Sequence, residues 1–176
     1  MRKSLAAIAG FVLVLALPAS AEAGPAAATE VAFSPGGGAT ELVIKTIAGA
    51  RQSIHIAAYS FTSKAIAEAL LEAHKRGVDV RVVADKSQAT ARYTTATFLA
   101  NMGVPVRVDY RYAIMHNKFI VADGQTVELG SFNYTAAAGD KNAENVLVLH
   151  DSAVAQRYAQ EWDRRWAESE GLERRY

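Results

Sequence analysis

Residues 114 to 134 read IMHNKFIVADGQTVELGSFNY, and most of the polar side chains in this stretch suit the holding or attacking of an anion. His116 offers an imidazole, Lys118 a cation, Ser131 a hydroxyl and Asn133 an amide donor, with Asp123 and Gly124 at a turn between them. In a strand over 116–122, successive side chains point to opposite faces. His116 and Lys118 would then emerge together while Asn117 and Phe119 turn away. Ser131 and Asn133 are likewise two apart and can share a face across the hairpin. Such a set suits a tetrahedral oxyanion such as a phosphodiester, whose non-bridging oxygens need fixed donors as charge shifts in the transition state.

Singly these residues are ordinary: a lone histidine is more often structural, a lone surface lysine a solvated charge, and Gly-Ser-x-Asn a turn. The combination is specific. His-x-Lys-x-x-x-x-Asp followed by Gly-Ser-x-Asn resembles the HKD signature of the phospholipase D superfamily at every signature position. SIHIAAYSFTSKAIAEALLEAHKRGVDVRVVAD resembles the family's strand–helix–strand segment, and NAENVLVL its trailing strand with a glutamate. The resemblance implies that His116 attacks phosphorus and forms a phosphohistidine. It implies that Lys118 and Asn133 hold the non-bridging oxygens and that Ser131 adds a hydroxyl. Glu144 matches the acidic residue that accepts a hydrogen bond from the far imidazole nitrogen, orienting the ring and supporting its positive form. Asp123, at the hairpin turn, is expected to brace the turn and its neighbouring strand rather than to react.

Many members of that family carry two signatures, so that one histidine attacks while the other protonates the leaving oxygen. This chain has one, which points to a homodimer with two signatures meeting across a twofold axis. It resembles the short, single-signature bacterial endonucleases of the superfamily, which carry export signals. The expected activity is a phosphodiesterase working without metal or cofactor, foremost a sequence-nonspecific endonuclease on DNA, with RNA as a second nucleic acid substrate. Phospholipid headgroup hydrolysis is the alternative, because the reaction centre is the same. A silent binder of nucleic acid or lipid is the rival from another class. No converging His or carboxylate ligands occur at metal-site spacing, and the absence of cysteine excludes a thiolate metal site and any disulfide.

The elements that must position these residues follow from periodicity. Met1-Arg2-Lys3, the apolar run LAAIAGFVLVLALP and the small residues ASA make the three-part plan of a signal peptide over residues 1–21, cleaved after Ala21 or Ala23. The rival is an uncleaved anchor, but the run is shorter than the roughly 20 residues that span a bilayer. A periplasmic or secreted protein is expected. Loss of Arg2 and Lys3 leaves 17 basic and 18 acidic residues, so attraction to nucleic acid must come from a local patch. Residues 22–38 read as an extended lead-in and loop. Gly36–Gly38 lack a following Gly-Lys-Ser/Thr, which argues against a phosphate-binding P-loop.

Residues 39–176 read as one catalytic domain. Thr40 is a plausible N-cap for a helix through TELVIKTIAGA. SIHIAAYSF is a strand, 63–77 a helix stopped by Gly77, VDVRVVAD a strand, 87–102 a helix, and VPVRVDY the next strand. A hairpin turning at Gly124-Gln125 and the strand NAENVLVLH complete the sheet. The fold class is therefore α/β: a mixed, largely parallel sheet flanked by helices on both faces. In the tail, Val154, Tyr158, Trp162 and Trp166 recur every four residues, for packing on the sheet or, alternatively, for base stacking. His55 is assigned a structural role with a place facing the site as its alternative. His74 suits the C-terminal end of a helix dipole, and His150 is given no role.

Overall fold

The alternating apolar residues of β2 (Ser53–Ala58) and β3 (Asp79–Asp85) send one set of side chains to each side of a sheet. In the computed structural model, which describes residues 28–90 and 94–174, that sheet has eight strands in the order β1-β7-β6-β5-β2-β3-β4-β8. The remaining strands are β1 (Ala28–Ser34), β4 (Val106–Asp109), β5 (Lys118–Ala122), β6 (Thr126–Gly130), β7 (Glu144–His150) and β8 (Glu170–Gly171). The stretch read as a signal peptide lies outside the described residues.

The sheet is mixed. Parallel pairing is confined to β2–β3 and β3–β4, where helices α2 (Lys64–Lys75), α3 (Ser87–Thr90) and α4 (Thr95–Asn101) make the crossovers. The β5–β6 hairpin reverses the chain in a tight turn, and the other pairs, β2–β5, β6–β7, β1–β7 and β4–β8, are antiparallel as well. Part of the lead-in is a strand: β1 pairs along its whole length with β7, from Ala28 opposite His150 to Ser34 opposite Glu144.

One face of the sheet carries Ile54, Ile56, Val80, Val82 and Ile120 under α1 (Ala39–Gly49), α2 and α4. The other carries Ala57, Val83, Phe119, Val121 and Val127 under α6 (Ser152–Glu168), the short α5 (Ala136–Asp140) lying between β6 and β7 in the chain. Trp162 of α6 is 1% exposed, stacks on His55 at 4.1 Å and donates its indole N–H to the Ile56 carbonyl at 2.9 Å. Trp166 stacks on Trp162, and Tyr158 meets Phe119 edge-on. The aromatic stripe is therefore sheet packing, and truncating Trp162 to alanine is worth about 3–5 kcal/mol.

Three local differences from the sequence reading have simple causes. α1 starts at Ala39 after Gly38, whose φ of 80° suits glycine, so Thr40 lies inside the helix. The expected helix over 87–102 is two pieces, with Thr94 capping the second by accepting the Thr97 N–H at 3.1 Å. The hairpin turns at Asp123-Gly124, with φ of 55° and 64°, the paired positive values that favour Asp-Gly in two-residue turns.

Candidate active site

The β5 start, the β6 end and the β7 start lie at one end of the sheet, together with the C-terminal ends of β2 and β3. That convergence gathers His116, Lys118, Ser131, Asn133 and Glu144. β5 begins at Lys118, so His116 sits just before the strand rather than within it. The ladder still reaches Asn117, whose carbonyl accepts the Tyr59 N–H at 3.1 Å. Lys118 Nζ lies 3.2 Å from His116 Nε2 and donates to the His116 carbonyl at 2.9 Å. Burial lowers the lysine's pKa, and the Glu144 charge opposes that shift. A cation thus faces the imidazole nitrogen, with a carboxylate near enough to act on the cation.

Tyr59 was not foreseen. Its ring centroid lies 4.5 Å from that of His116, and Lys118 Nζ lies 5.1 Å from its centroid, so one aromatic ring contacts both groups. Asp85, at the buried end of β3, was missed as well. Its Oδ2 accepts the Met115 N–H at 2.8 Å and its Oδ1 the Ser87 N–H at 2.9 Å, fixing the backbone that enters His116. The available signals were the terminal positions of these residues in SIHIAAY and VDVRVVAD, since strand ends are where an α/β sheet exposes functional groups.

The GSFN segment leaves β6 at Gly130, where the β7 backbone passes so close that a Cβ would collide with the Asn145 carbonyl. Phe132 and Tyr134 point into the core while Ser131 is exposed and Asn133 half-buried. The Asn133 Oδ1 is buried and has no hydrogen-bond partner among the described residues, leaving the amide uncommitted. Ser131 is committed: its Oγ donates to Glu144 Oε2 at 2.6 Å and accepts the Asn145 N–H at 3.1 Å.

Glu144 departs from the expected geometry. Its partners are Ser131 and Asn142, the latter at 3.1 Å, and no hydrogen bond to His116 occurs among the described residues. Strand order explains this. β6 lies between β5 and β7, so Glu144 is about two strand spacings, or ~9–10 Å, from the strand that follows His116. Within one chain it orients Ser131 and balances Lys118 instead of gripping the imidazole.

Asp123 is at the opposite end of the sheet. Its carboxylate accepts N–H groups of Arg51, Gln52 and Ser53 at 2.7–3.2 Å. Burial works to raise its pKa, but those bonds outweigh it and hold the group below its usual value. His55 lies against Trp162 on the α6 face, and burial lowers its pKa. His74 is in the last turn of α2, and His150 is bound to Thr126 and Glu30 at the far end. No group of three or more His, Asp or Glu side chains among the described residues could hold a metal ion.

A family profile described as "Cardiolipin synthase, PLD-like domain" matches residues 43–166. The chain is 38% identical over 130 residues to a phospholipase D of Rickettsia bellii, which covers 74% of this chain and 65% of that protein. It is 38% identical over 120 residues to a mitochondrial cardiolipin hydrolase of Xenopus laevis, covering 68% and 57%. The chain thus spans somewhat under two thirds of these curated relatives. Among solved structures, the phospholipase D family member Nuc of Salmonella typhimurium matches with a TM-score of 0.81 and 40% identity, over 84% of this chain and 99% of that one. NucT of Helicobacter pylori shares the fold, with a TM-score of 0.75 and 24% identity, over 82% and 99%. Signature, sheet and relatives agree: the chain belongs to the phospholipase D superfamily of phosphodiester hydrolases.

Proposed function

We propose that this protein is a metal-independent phosphodiesterase that hydrolyses DNA, and RNA by the same route, as a sequence-nonspecific endonuclease. The observation that carries the nuclease reading is the match at 40% identity to nearly the full length of Nuc, whereas the relatives named for lipid are matched over only part of theirs. In the first step a His116 nitrogen attacks phosphorus, a P–N bond forms and the P–O bond to the leaving group breaks. The leaving oxygen takes its proton from His116 of the partner subunit. In the second step that same imidazole deprotonates water, which attacks phosphorus and breaks the P–N bond. Lys118 and the Asn133 amide face the non-bridging oxygens, where fixed donors do most for a charge-shifting transition state.

The partner is a second copy of the chain, because each chain supplies one signature. Val31 and Phe33 on edge strand β1 are 56% and 59% exposed, beside the Ser34–Glu144 end of the ladder, and give such a partner an apolar surface next to the site. Export to the periplasm or medium completes the proposal, and a mature N-terminus at Glu22 or Gly24 would support it.

A second reading, phospholipase D activity, is favoured by exposed Tyr110 and Ile114, the latter two residues before His116, which would suit an acyl surface. Purified protein offered plasmid DNA, RNA and phosphatidylcholine side by side, with and without EDTA, tests both readings. Nicking of DNA that persists in chelator is expected. Headgroup release without nucleic acid cleavage would replace the nuclease reading, and loss in EDTA restored by magnesium would reject direct histidine attack, since two-metal nucleases depend on their cations.

A further inference from the structure

Glu128 belongs to neither the signature nor the exposed site, yet it is a carboxylate side chain 1% exposed in the middle of β6. Its cross-strand neighbours are Ile120 of β5 and Val148 of β7, with Ile56 of β2 beyond, all apolar and buried. The charged pair Glu30–Lys45 lies farther along the same row, engaged with itself across β1 and α1. The titratable group that faces Glu128 is Tyr134, whose hydroxyl donates to Oε2 at 2.8 Å.

Tyr134 follows Asn133 and closes the GSFN segment. Its ring is fully buried, edge-on to Phe61 at 5.9 Å and to Phe132 at 6.4 Å. Its carbonyl accepts the N–H groups of both Thr62 and Ser63 at 2.9 Å, joining the segment to the chain between β2 and α2. The segment is therefore held by its backbone to the β2 side and by the Tyr134 hydroxyl to β6. Ser131 and Asn133 project from the chain between the end of β6 and this doubly anchored tyrosine.

We propose that the buried Glu128–Tyr134 hydrogen bond is a positioning latch for the phosphate donors, setting where the Asn133 amide meets the non-bridging oxygens. The inference rests on the site binding phosphate as proposed above. Neither residue touches substrate; both act through Asn133. A polar pair in this apolar layer costs desolvation that two hydrophobic side chains would avoid, so its value lies in the fixed register it gives the segment. Burial raises the Glu128 carboxyl to about 8, against a smaller lowering by the Tyr134 bond, so the pair is neutral at pH 7. Above that value an uncompensated carboxylate forms beneath the segment, and the latch is strained.

The test compares wild type, Tyr134→Phe and Glu128→Gln for inorganic phosphate affinity, for kcat and KM on a generic chromogenic phosphodiester, and for thermal stability. Tyr134→Phe should bind phosphate more weakly and lose about tenfold or more in kcat, in a system where a 1 Å misplacement can cost ~10²-fold. Glu128→Gln keeps an acceptor for the tyrosine but cannot ionise. It should retain near-wild-type kcat and phosphate affinity at pH 7 and hold both across pH 8, where wild type declines. A merely structural pair would lower Tm in Tyr134→Phe while leaving kcat and phosphate affinity per folded molecule unchanged, and that result would overturn the latch. So would identical alkaline profiles for wild type and Glu128→Gln, a variant that packs like the native residue and keeps the test open if Tyr134→Phe does not fold. Absence of turnover in wild type would defeat the functional reading instead, and the phosphate-binding comparison would still decide the latch.

Discussion

His116 and His150 sit at opposite ends of the sheet, each with a lysine and a carboxylate in its neighbourhood. At the far end, His150 Nδ1 lies 3.0 Å from the Thr126 hydroxyl and Nε2 lies 3.1 Å from Glu30, which also takes Lys45. Both ring nitrogens are occupied, and Glu30 is held below its usual pKa by Lys45 first and then by His150. At the near end the order is reversed. The imidazole faces the Lys118 ammonium, while Glu144 is occupied by Ser131 and Asn142. One cluster satisfies itself; the other places a cation beside an imidazole and, on the proposed function, is completed by an anion from outside. Residue type does not separate them, and partner assignment does.

The largest contrast should come from His116→Asn, which on the proposed mechanism removes the nucleophile of one chain and the acid of its partner together. Loss should exceed the roughly 10²–10⁴-fold typical of general acid–base action alone. Hydrolysis of plasmid DNA by the folded variant at a tenth of the wild-type rate would erase the distinction between the two ends.

Asp123→Ala should do the opposite, damaging the fold while sparing the chemistry. Three N–H groups lose their acceptor, and alanine is set at a φ of 55° that it tolerates poorly. Two of the three lie on exposed residues that water can reach, so the cost should be about 1–3 kcal/mol. The folded pKa is depressed, so this stabilisation is present above the unfolded value near 3.8 and is lost as pH falls through the folded one. Denaturant midpoints between pH 2 and 6 should fall more steeply with acid in wild type than in the variant. A drop in kcat per folded molecule would place Asp123 in the chemistry after all.

The contrast sharpens if the near end is completed by a second chain. Wild type mixed with an equal amount of His116→Asn and allowed to exchange should contain about a quarter wild-type dimers by twofold symmetry. Activity per wild-type chain should then fall to roughly half. Constant activity with exchange confirmed by mass would mean that each chain works alone.

The signature residues were legible because they occupy consecutive chain. A hairpin and its return strand bring His116, Lys118, Ser131, Asn133 and Glu144 to one sheet end with little intervening sequence. The strand–helix alternation likewise exposed the β2–α2–β3 crossover. Tyr59 and Asp85 were legible only as strand ends, since their meeting with the His116 segment depends on β2 pairing with β5 and on β3 lying beyond it, contacts distant in sequence. The partners that Glu144 takes within one chain, Ser131 and Asn142, were not legible for the same reason: spacing along the chain does not reveal that β6 stands between the glutamate and the histidine. β1 was obscured by the Ala/Gly/Pro content around it, although Val31, Ala32 and Phe33 alternate between exposed and buried as an edge strand requires.

The smallest effect belongs to His150→Gln. The side chain is exposed, and its bonds to Glu30 and Thr126 are surface contacts, each worth about 0–1 kcal/mol. Glutamine can still reach one of these partners, and Lys45 continues to hold Glu30. The β1–β7 ladder, paired over seven residues, does not depend on that contact. The expected result is a Tm within a few degrees of wild type and a hydrolysis rate within about twofold, since surface substitutions away from special features usually change stability by no more than ±0.5 kcal/mol. A tenfold loss of rate with unchanged Tm would tie the far cluster to the reaction. The charged cavity lined by Lys45, Arg51, Asp123 and His150 would then be a second functional region rather than the self-satisfied counterpart of the first.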